Sequence, residues 1–341
     1  MSNIIISNKL IIGFVGLLFL ISCSSESPYE YLVRGETMGT TYNVKMVFDH
    51  PKSSDELNVY QVVVEKALSR VDSLMSTYRS DSEVSILNNT PEGQPILLSA
   101  QTYEVLDAAK KISRLTDGSF DITVGPLVDL WGFGPKYEQF EVPSSEDVLV
   151  AKSEVNWQAI KLNDGQARRS QRVHVDLSAI AKGYAVDQVS LSLKRLEVAN
   201  FLVEVGGEIA VSGINKHRNS WVLGIEQPNV SGRKAYTSVS LKDNSLATSG
   251  DYRNYFEKNG VRYSHTIDPK TGYPIKHRLA SVSVIANTCM ESDALATALM
   301  VMGEEKGYQF ALKEKINAYF IYRENESFKT IYTPGFEPYL N

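Results

Sequence analysis

RVHVDLSAIAKGYAVDQVSLSLKRLEVANFLVEVGGEIAV, residues 172–211, decides the fold. Its first residues alternate apolar and polar, which predicts a strand over Arg172–Leu177, and the run after it predicts a helix from about Ser178 to Leu196. From Phe201 the chain returns to strand patterning and largely stays there. Strand-like runs at Phe201–Val211, Trp221–Glu226, Tyr236–Leu241, Ser281–Ala286, Ala318–Arg323 and Thr330–Tyr332 are interrupted by one helical segment, about Glu291 to Met302, which Gly303 is expected to end. Strands that outnumber helices without alternating with them predict an α+β fold. Its sheet should be largely antiparallel with packed helices, in preference to a doubly wound parallel sheet.

Upstream, β-prone residues from Tyr31 to Phe48 alternate around Met38-Gly39-Thr40, as two strands or one bent strand. Leu57, Val64, Leu68, Val71 and Met75 recur at helical spacing, so a helix ends near Tyr78. A second helix is predicted over about Ser99 to Leu115, stopped by Asp117-Gly118. The stretch Glu141–Arg169 is polar and mixed and carries no firm assignment. No repeat and no Gly/Pro-rich linker divides the chain, so residues 30–341 are expected to form a single domain.

The 341 residues are 43% hydrophobic and 22% charged, the composition of a folding chain. A formal net charge of −5 speaks against gripping nucleic-acid phosphates, so nucleic acid is not an expected partner. Two cysteines without a CxxC pair, and five histidines without HExxH, leave no disulfide scaffold or cysteine-rich zinc site to assemble.

Residues 1–22 carry one positive charge, Lys9, ahead of an apolar run from Ile11 to Ile21 that is short for a membrane span of about 20 residues. Leu20-Ile21-Ser22-Cys23 resembles a bacterial lipoprotein signal, with Cys23 the acylated first residue of the mature chain; an ordinary signal peptide or a marginal anchor is the alternative. Either way the expected location is outside the cytoplasm. On the lipoprotein reading, the protein is lipid-anchored on the periplasmic side of a bacterial membrane, and residues 23–29 are a tether. Cys289 is then a buried small hydrophobe.

Several segments set small residues beside isolated charges and hydroxyls. In DLSAIAKGYAVD, from Asp176, a strand–helix junction exposes helix N–H groups that favour anions, and Lys182 one turn in adds positive charge; a capped helix with a solvated lysine is the plainer reading. Asp293 and Thr297 lie one turn apart on an almost wholly apolar helix, which suits either a hard cation such as Mg²⁺ or capping of the helix by its own side chains. His265 has the chemistry of a proton acceptor near neutral pH, although a lone histidine is more often structural. Tyr78 and Phe120 offer ring faces to a planar ligand, or ordinary packing.

Together, MGTTY, STYRSDSEVSILN, FDITVGPLVDLWGFG, DLSAIAKGYAVD, GGEI, SGDYRNYF, SHTIDPKTGYP and DALATALMVMG resemble the ApbE family of FAD:protein FMN transferases, over roughly Gly35 to Gly303. The resemblance implies an α+β flavin-transferase architecture related to the T-fold. It also implies Mg²⁺-dependent attack by an acceptor protein's threonine on FAD, leaving FMN in phosphoester linkage and releasing AMP. Carried over, Met38 and Tyr78 would contact the flavin, Ser119, Phe120 and Asp121 would help hold the dinucleotide, and Asp176 and Lys182 would bind FAD. The Ala179 carbonyl, Asp293 and Thr297 would hold the metal, with His265 as the general base. Many relatives read DLGG where this chain has Asp176-Leu177-Ser178-Ala179; a carbonyl ligand requires no particular side chain, so the site is expected to survive. An FAD pyrophosphatase and a non-catalytic FAD-binding lipoprotein are the alternatives.

Overall fold

The structure, a computed structural model, describes residues 28–134, 141–228, 234–252, 254–325 and 327–341. The signal segment, Cys23 and most of the tether lie outside the described residues. Tyr29, expected in the tether, already opens the first strand.

The chain begins with a hairpin of β1 (Tyr29–Thr37) and β2 (Thr40–Phe48), so two strands, not one bent strand, flank Met38-Gly39. Then come α1 (Ser54–Met75), α2 (Glu83–Asn89), β3 (Ile96–Leu97), α3 (Ala100–Leu115) and α4 (Gly125–Leu130). The polar stretch left unassigned by sequence forms α5 (Ser145–Ser153) and a hairpin of β4 (Ile160–Asn163) and β5 (Gln166–Arg169). After α6 (Ala181–Arg195) the strands β6 (Asn200–Val205), β7 (Glu208–Ser212), β8 (Trp221–Glu226), β9 (Ala235–Leu241) and β10 (Ser245–Gly250) follow in succession. The hairpin β11 (Tyr255–Lys258) and β12 (Val261–Ser264), strand β13 (Leu279–Ala286), α7 (Cys289–Lys313), β14 (Asn317–Glu324) and β15 (Ser327–Tyr332) complete the order.

Eight strands form one sheet in the order β1-β2-β6-β7-β10-β13-β14-β15, with antiparallel neighbours throughout. Period-two alternation gives it two apolar faces. Val44 and Met46 of β2, Val282 and Val284 of β13, and Phe320 of β14 meet α1, α3, α6 and α7 in the main core. Val47, Ile285, Tyr319 and Ile321 point the other way, onto the β8–β9 hairpin and Phe336. A third cluster of Leu127, Trp131, Val148, Phe256 and Ile267 joins α4 and α5 to the β11–β12 hairpin and the loop after it.

Three expectations need correction. The run Phe201–Val211 is not one strand: Gly206-Gly207 turns it back on itself as the β6–β7 hairpin. Residues 172–177 form no strand: Val173, Val175 and Leu177 are buried alternately, but the ladder's role falls to the Asn88 amide, which accepts the Val175 N–H at 2.7 Å and donates to its carbonyl at 2.8 Å. The helix accordingly starts at Ala181 rather than Ser178. Gly303 breaks α7 without ending it. Its φ of 79° and ψ of 177° kink the chain, and helix resumes to Lys313. A Cβ there would come within 2.6 Å of the His277 ring, and His277 Nε2 donates to the Met300 carbonyl at 2.8 Å, replacing the helical donor that the kink removes.

Helices α6 and α7 approach so closely at Gly183 that a Cβ would collide with the Cys289 carbonyl and sit 2.8 Å from the Met290 Cα. Backbone on both sides leaves nothing flexible to yield. Gly183→Ala should therefore lower unfolding stability by roughly 1–3 kcal/mol or more in urea titrations; an unchanged midpoint would show that the helices do not meet there.

Candidate active site

Segments distant in sequence converge at the start of α6. Its N-cap, Ile180, contributes no side-chain hydrogen bond, and the Gly183 N–H donates instead to Asp293 Oδ2 of α7 at 3.0 Å. In an uninterrupted helix that N–H would serve the Ala179 carbonyl, which is left to other partners. Asp293 thus caps α6 rather than its own helix, where Thr288 accepts the Glu291 N–H.

The capping is mutual. One turn beyond Gly183, Asp187 accepts the Cys289 and Met290 N–H groups at the start of α7, at 2.8 and 2.9 Å. Burial pushes Asp187 up from 3.8 to about 6 against the pull of those two donors. Asp293, 5% exposed, is also raised by burial, opposed by Lys182 and the Gly183 N–H. Cys289 lies fully buried and free, as expected, and burial holds its thiol well above its ordinary value.

Lys182 is a half-buried, paired lysine: its Nζ lies 2.8 Å from Glu208 Oε1. Glu208 opens β7 and is 4% exposed; burial first, and the Asp293 charge second, push it up to about 7 while Lys182 opposes them. Its Oε2 is buried without a hydrogen-bond partner among the described residues. The turn before it uses Gly206 and Gly207 at φ 63° and 107°. A Cβ on Gly206 would lie 2.9 Å from Thr40 Cγ2 and 3.3 Å from Lys182 Cδ, so this turn, the Met38 hairpin turn and Lys182 pack together. Met38, at φ 49°, rests on the main core. Thr297, one turn along α7 from Asp293, has its Oγ1 3.3 Å from Ser249 Oγ of β10.

The Ser119 segment abuts the same junction. The Asp176 N–H donates to the Ile122 carbonyl at 2.7 Å, and Asp176 Oδ1 accepts from Ser178 N and Oγ at 2.8 and 2.5 Å. Both oxygens of Asp121 are engaged: Oδ1 by Thr123 N and Oγ1, Oδ2 by Trp157 N. Burial raises this carboxyl against those bonds. The Phe120 ring, 2% exposed, packs in the main core, so this segment can meet a ligand through Ser119 and its backbone. Tyr78 stands apart. It follows α1 at 77% exposure, its N–H bonded to Ser76 Oγ.

His265 Nδ1 lies 3.0 Å from the Asn254 carbonyl. A carbonyl only accepts, so Nδ1 carries the proton and Nε2 the lone pair. Burial lowers the imidazole pKa, the Asn254 bond and Asp251 oppose, and Lys182 lowers it further, which places base and lysine in one electrostatic field. The ring sits edge-on to Phe133 at 6.2 Å. The loop beyond is fixed by Trp131, which donates to the Gly272 carbonyl at 2.9 Å and stacks on Tyr263 at 5.6 Å.

Among the described residues, no three His, Cys, Asp or Glu gather to hold an ion. The set expected here is one carboxylate, one hydroxyl and one carbonyl, all oxygen, and the orphaned Glu208 Oε2 adds negative charge beside it. Those donors fit a hard cation. Sequence reading missed Glu208, Asp187 and Ser249 as site residues; each lies inside a quoted motif, but their partners are 26 to more than 100 positions away.

Two helix N-termini, a lysine, oxygen donors and a histidine with a free Nε2 lone pair are groups suited to a phosphorylated ligand. The pattern of the ApbE family matches residues 38–320. A Vibrio cholerae FAD:protein FMN transferase is 40% identical over 333 residues, covering 97% of this chain and 98% of the relative. The solved Vibrio cholerae flavin transferase ApbE superposes with a TM-score of 0.84 at 39% identity, over 92% of this chain and 100% of the other. The apo Pseudomonas stutzeri flavinyl transferase ApbE does so at 0.83 and 40% identity, over 91% and 96%. The chain belongs to the ApbE family.

Because the folded value of Asp187, about 6, lies above 3.8, the native state keeps a proton that the unfolded chain releases between the two values. This group's contribution to stability therefore declines as pH rises through that window and is level above it. The stability difference between wild type and Asp187→Asn in urea unfolding should shift against wild type by roughly 1–3 kcal/mol between about pH 4 and pH 7. A gap independent of pH would contradict the assignment.

Proposed function

We infer that the protein is an FAD:protein FMN transferase that passes the FMN phosphoryl group of FAD to a threonine hydroxyl of an acceptor protein and releases AMP, at a site served by Mg²⁺. The observation that carries this reading is the junction of α6 and α7, where the Gly183 N–H meets Asp293 and Lys182 stands beside Glu208, together with a histidine whose Nε2 lone pair is free. The names of the relatives support it.

Lys182 and the start of α6 bind the pyrophosphate, and Asp176 with the Ser119–Asp121 segment holds the rest of the dinucleotide. Met38 and the exposed Tyr78 ring contact the flavin. Asp293, Thr297 and the Ala179 carbonyl would hold Mg²⁺, which would supply Lewis-acid stabilisation of the pyrophosphate oxygens. His265 Nε2 takes the threonine proton as the Oγ–P bond forms and the P–O bond to AMP breaks. Its lowered pKa keeps that lone pair free at neutral pH.

The anchor reading fits this activity: residues 1–22 direct export, Cys23 carries lipid, and the acceptor is a membrane redox protein reached from the extracytoplasmic side.

Incubation with FAD, Mg²⁺ and a threonine-bearing acceptor domain should add the mass of FMN to the acceptor, and a chelator should abolish the addition. AMP released equally fast without acceptor would point to a pyrophosphatase instead. His265→Asn should slow transfer by about 10²–10⁴-fold while FAD still binds. In wild type the acid limb of kcat/KM should fall below the ordinary histidine value of 6.5; a limb above it would remove His265 from the role.

A further inference from the structure

Lys182 stands among buried carboxylates and is bonded to Glu208. Its Nζ lies 2.8 Å from Glu208 Oε1, while Asp293, whose charge acts on both Lys182 and Glu208, receives the Gly183 N–H at Oδ2. No described residue donates a hydrogen bond to Asp293 Oδ1. A lysine ammonium on a flexible four-carbon stem pairs with whichever buried carboxylate it reaches. Without Glu208, the carboxylate left to it is Asp293. An ammonium seated there would occupy the open oxygen and set a like charge against any cation.

We propose that Glu208 is a positioning residue that draws Lys182 off Asp293 and so keeps Asp293 Oδ1 open to a divalent cation. The proposal rests on the reading that Asp293 holds Mg²⁺. The backbone places Glu208 for this task. It pairs with Val205 across the Gly206-Gly207 turn, and the lysine stem runs past Gly206, where a Cβ would stand 3.3 Å from Lys182 Cδ. The Oε2 atom is buried without a hydrogen-bond partner among the described residues, so the carboxylate's ion pair with the lysine is made through Oε1.

Calorimetric titration of the full chain with Mg²⁺ alone tests this in wild type, Glu208→Gln, Lys182→Met and the double variant. Glu208→Gln should weaken Mg²⁺ binding about 10- to 100-fold, the scale for residues that orient a ligand. In the Lys182→Met background the same substitution should change affinity by no more than about twofold, because the competitor is gone. An unchanged affinity in Glu208→Gln, or an equal loss in both backgrounds, overturns the proposal, the latter showing that Glu208 acts through its own charge. Wild type that binds no Mg²⁺ overturns the metal reading itself and the proposal with it. Should Glu208→Gln not fold, Glu208→Asp carries the comparison: the carboxylate retreats one methylene with its charge kept, Mg²⁺ binding should weaken only while Lys182 is present, and wild-type affinity would sink the idea.

Discussion

Asp293 of α7 accepts the Gly183 N–H of α6, and Asp187 of α6 accepts the first two N–H groups of α7. This crossed pair fixes where the two helices begin relative to each other, and the remaining groups of the site are placed from it. It is a poor source of net stability. Each cap contributes about 0.5–2 kcal/mol, whereas burying a carboxylate costs several kcal/mol before its partners offset it. Raised pKa values at Asp187 and Asp293 record that burial outweighs the hydrogen bonds. What the crossing provides is placement: two positive helix ends side by side, with the Ala179 carbonyl just ahead of the α6 N-cap.

His265 is held by different packing. Asp293 and Thr297 ride on a helix sunk in the main core, while His265 follows the β11–β12 hairpin, whose Phe256 belongs to the cluster around Trp131. The Trp131 bond to the Gly272 carbonyl ties α4 to the loop beyond His265. The Asp176 bond to the Ile122 carbonyl ties the chain ahead of α4 to the chain entering α6. The separation of His265 from Asp293 and Thr297 therefore depends on how two apolar clusters join, and on the proposed reading substitutions at their junction act on the chemistry without touching it.

Elements are legible where one periodicity rules, as in α1, α3, β8, β9, β13 and β14; β10, β11 and β12 fall in polar, glycine-containing stretches that carry no strand pattern. Others are misread where a side chain stands in for backbone. Residues 172–177 have a strand's alternation, yet Asn88 supplies their hydrogen bonds, and no local pattern shows a partner 87 positions away. Gly303 was read as a stop because glycine usually ends helices. Here the following turns bury Gly307 and Ala311, and the chain pays the cost of a kink to keep them in the core. Of the candidate site, Asp293, Thr297, Lys182 and His265 stand out in the sequence as polar residues in apolar or small-residue settings. Glu208 and Asp187 were hidden because a carboxylate's burial depends on what packs over it, and strand and helix patterns do not encode that.

The charges then constrain how the site can work. An anionic dinucleotide must approach a place where Asp293 and Glu208 face a single lysine, and helix ends supply only partial positive charge. Burial raises both acids while Lys182 opposes it, so negative charge is costly to hold there without a compensating cation. On the proposed reading, a divalent ion held by Asp293 would reverse the sign of the cluster and leave Lys182 and the α6 N-terminus to attract the pyrophosphate. On the proposed reading, the excess of buried acid over base is what makes dinucleotide binding contingent on the metal, and replacing either acid with a neutral residue would loosen that contingency as well as the metal's grip.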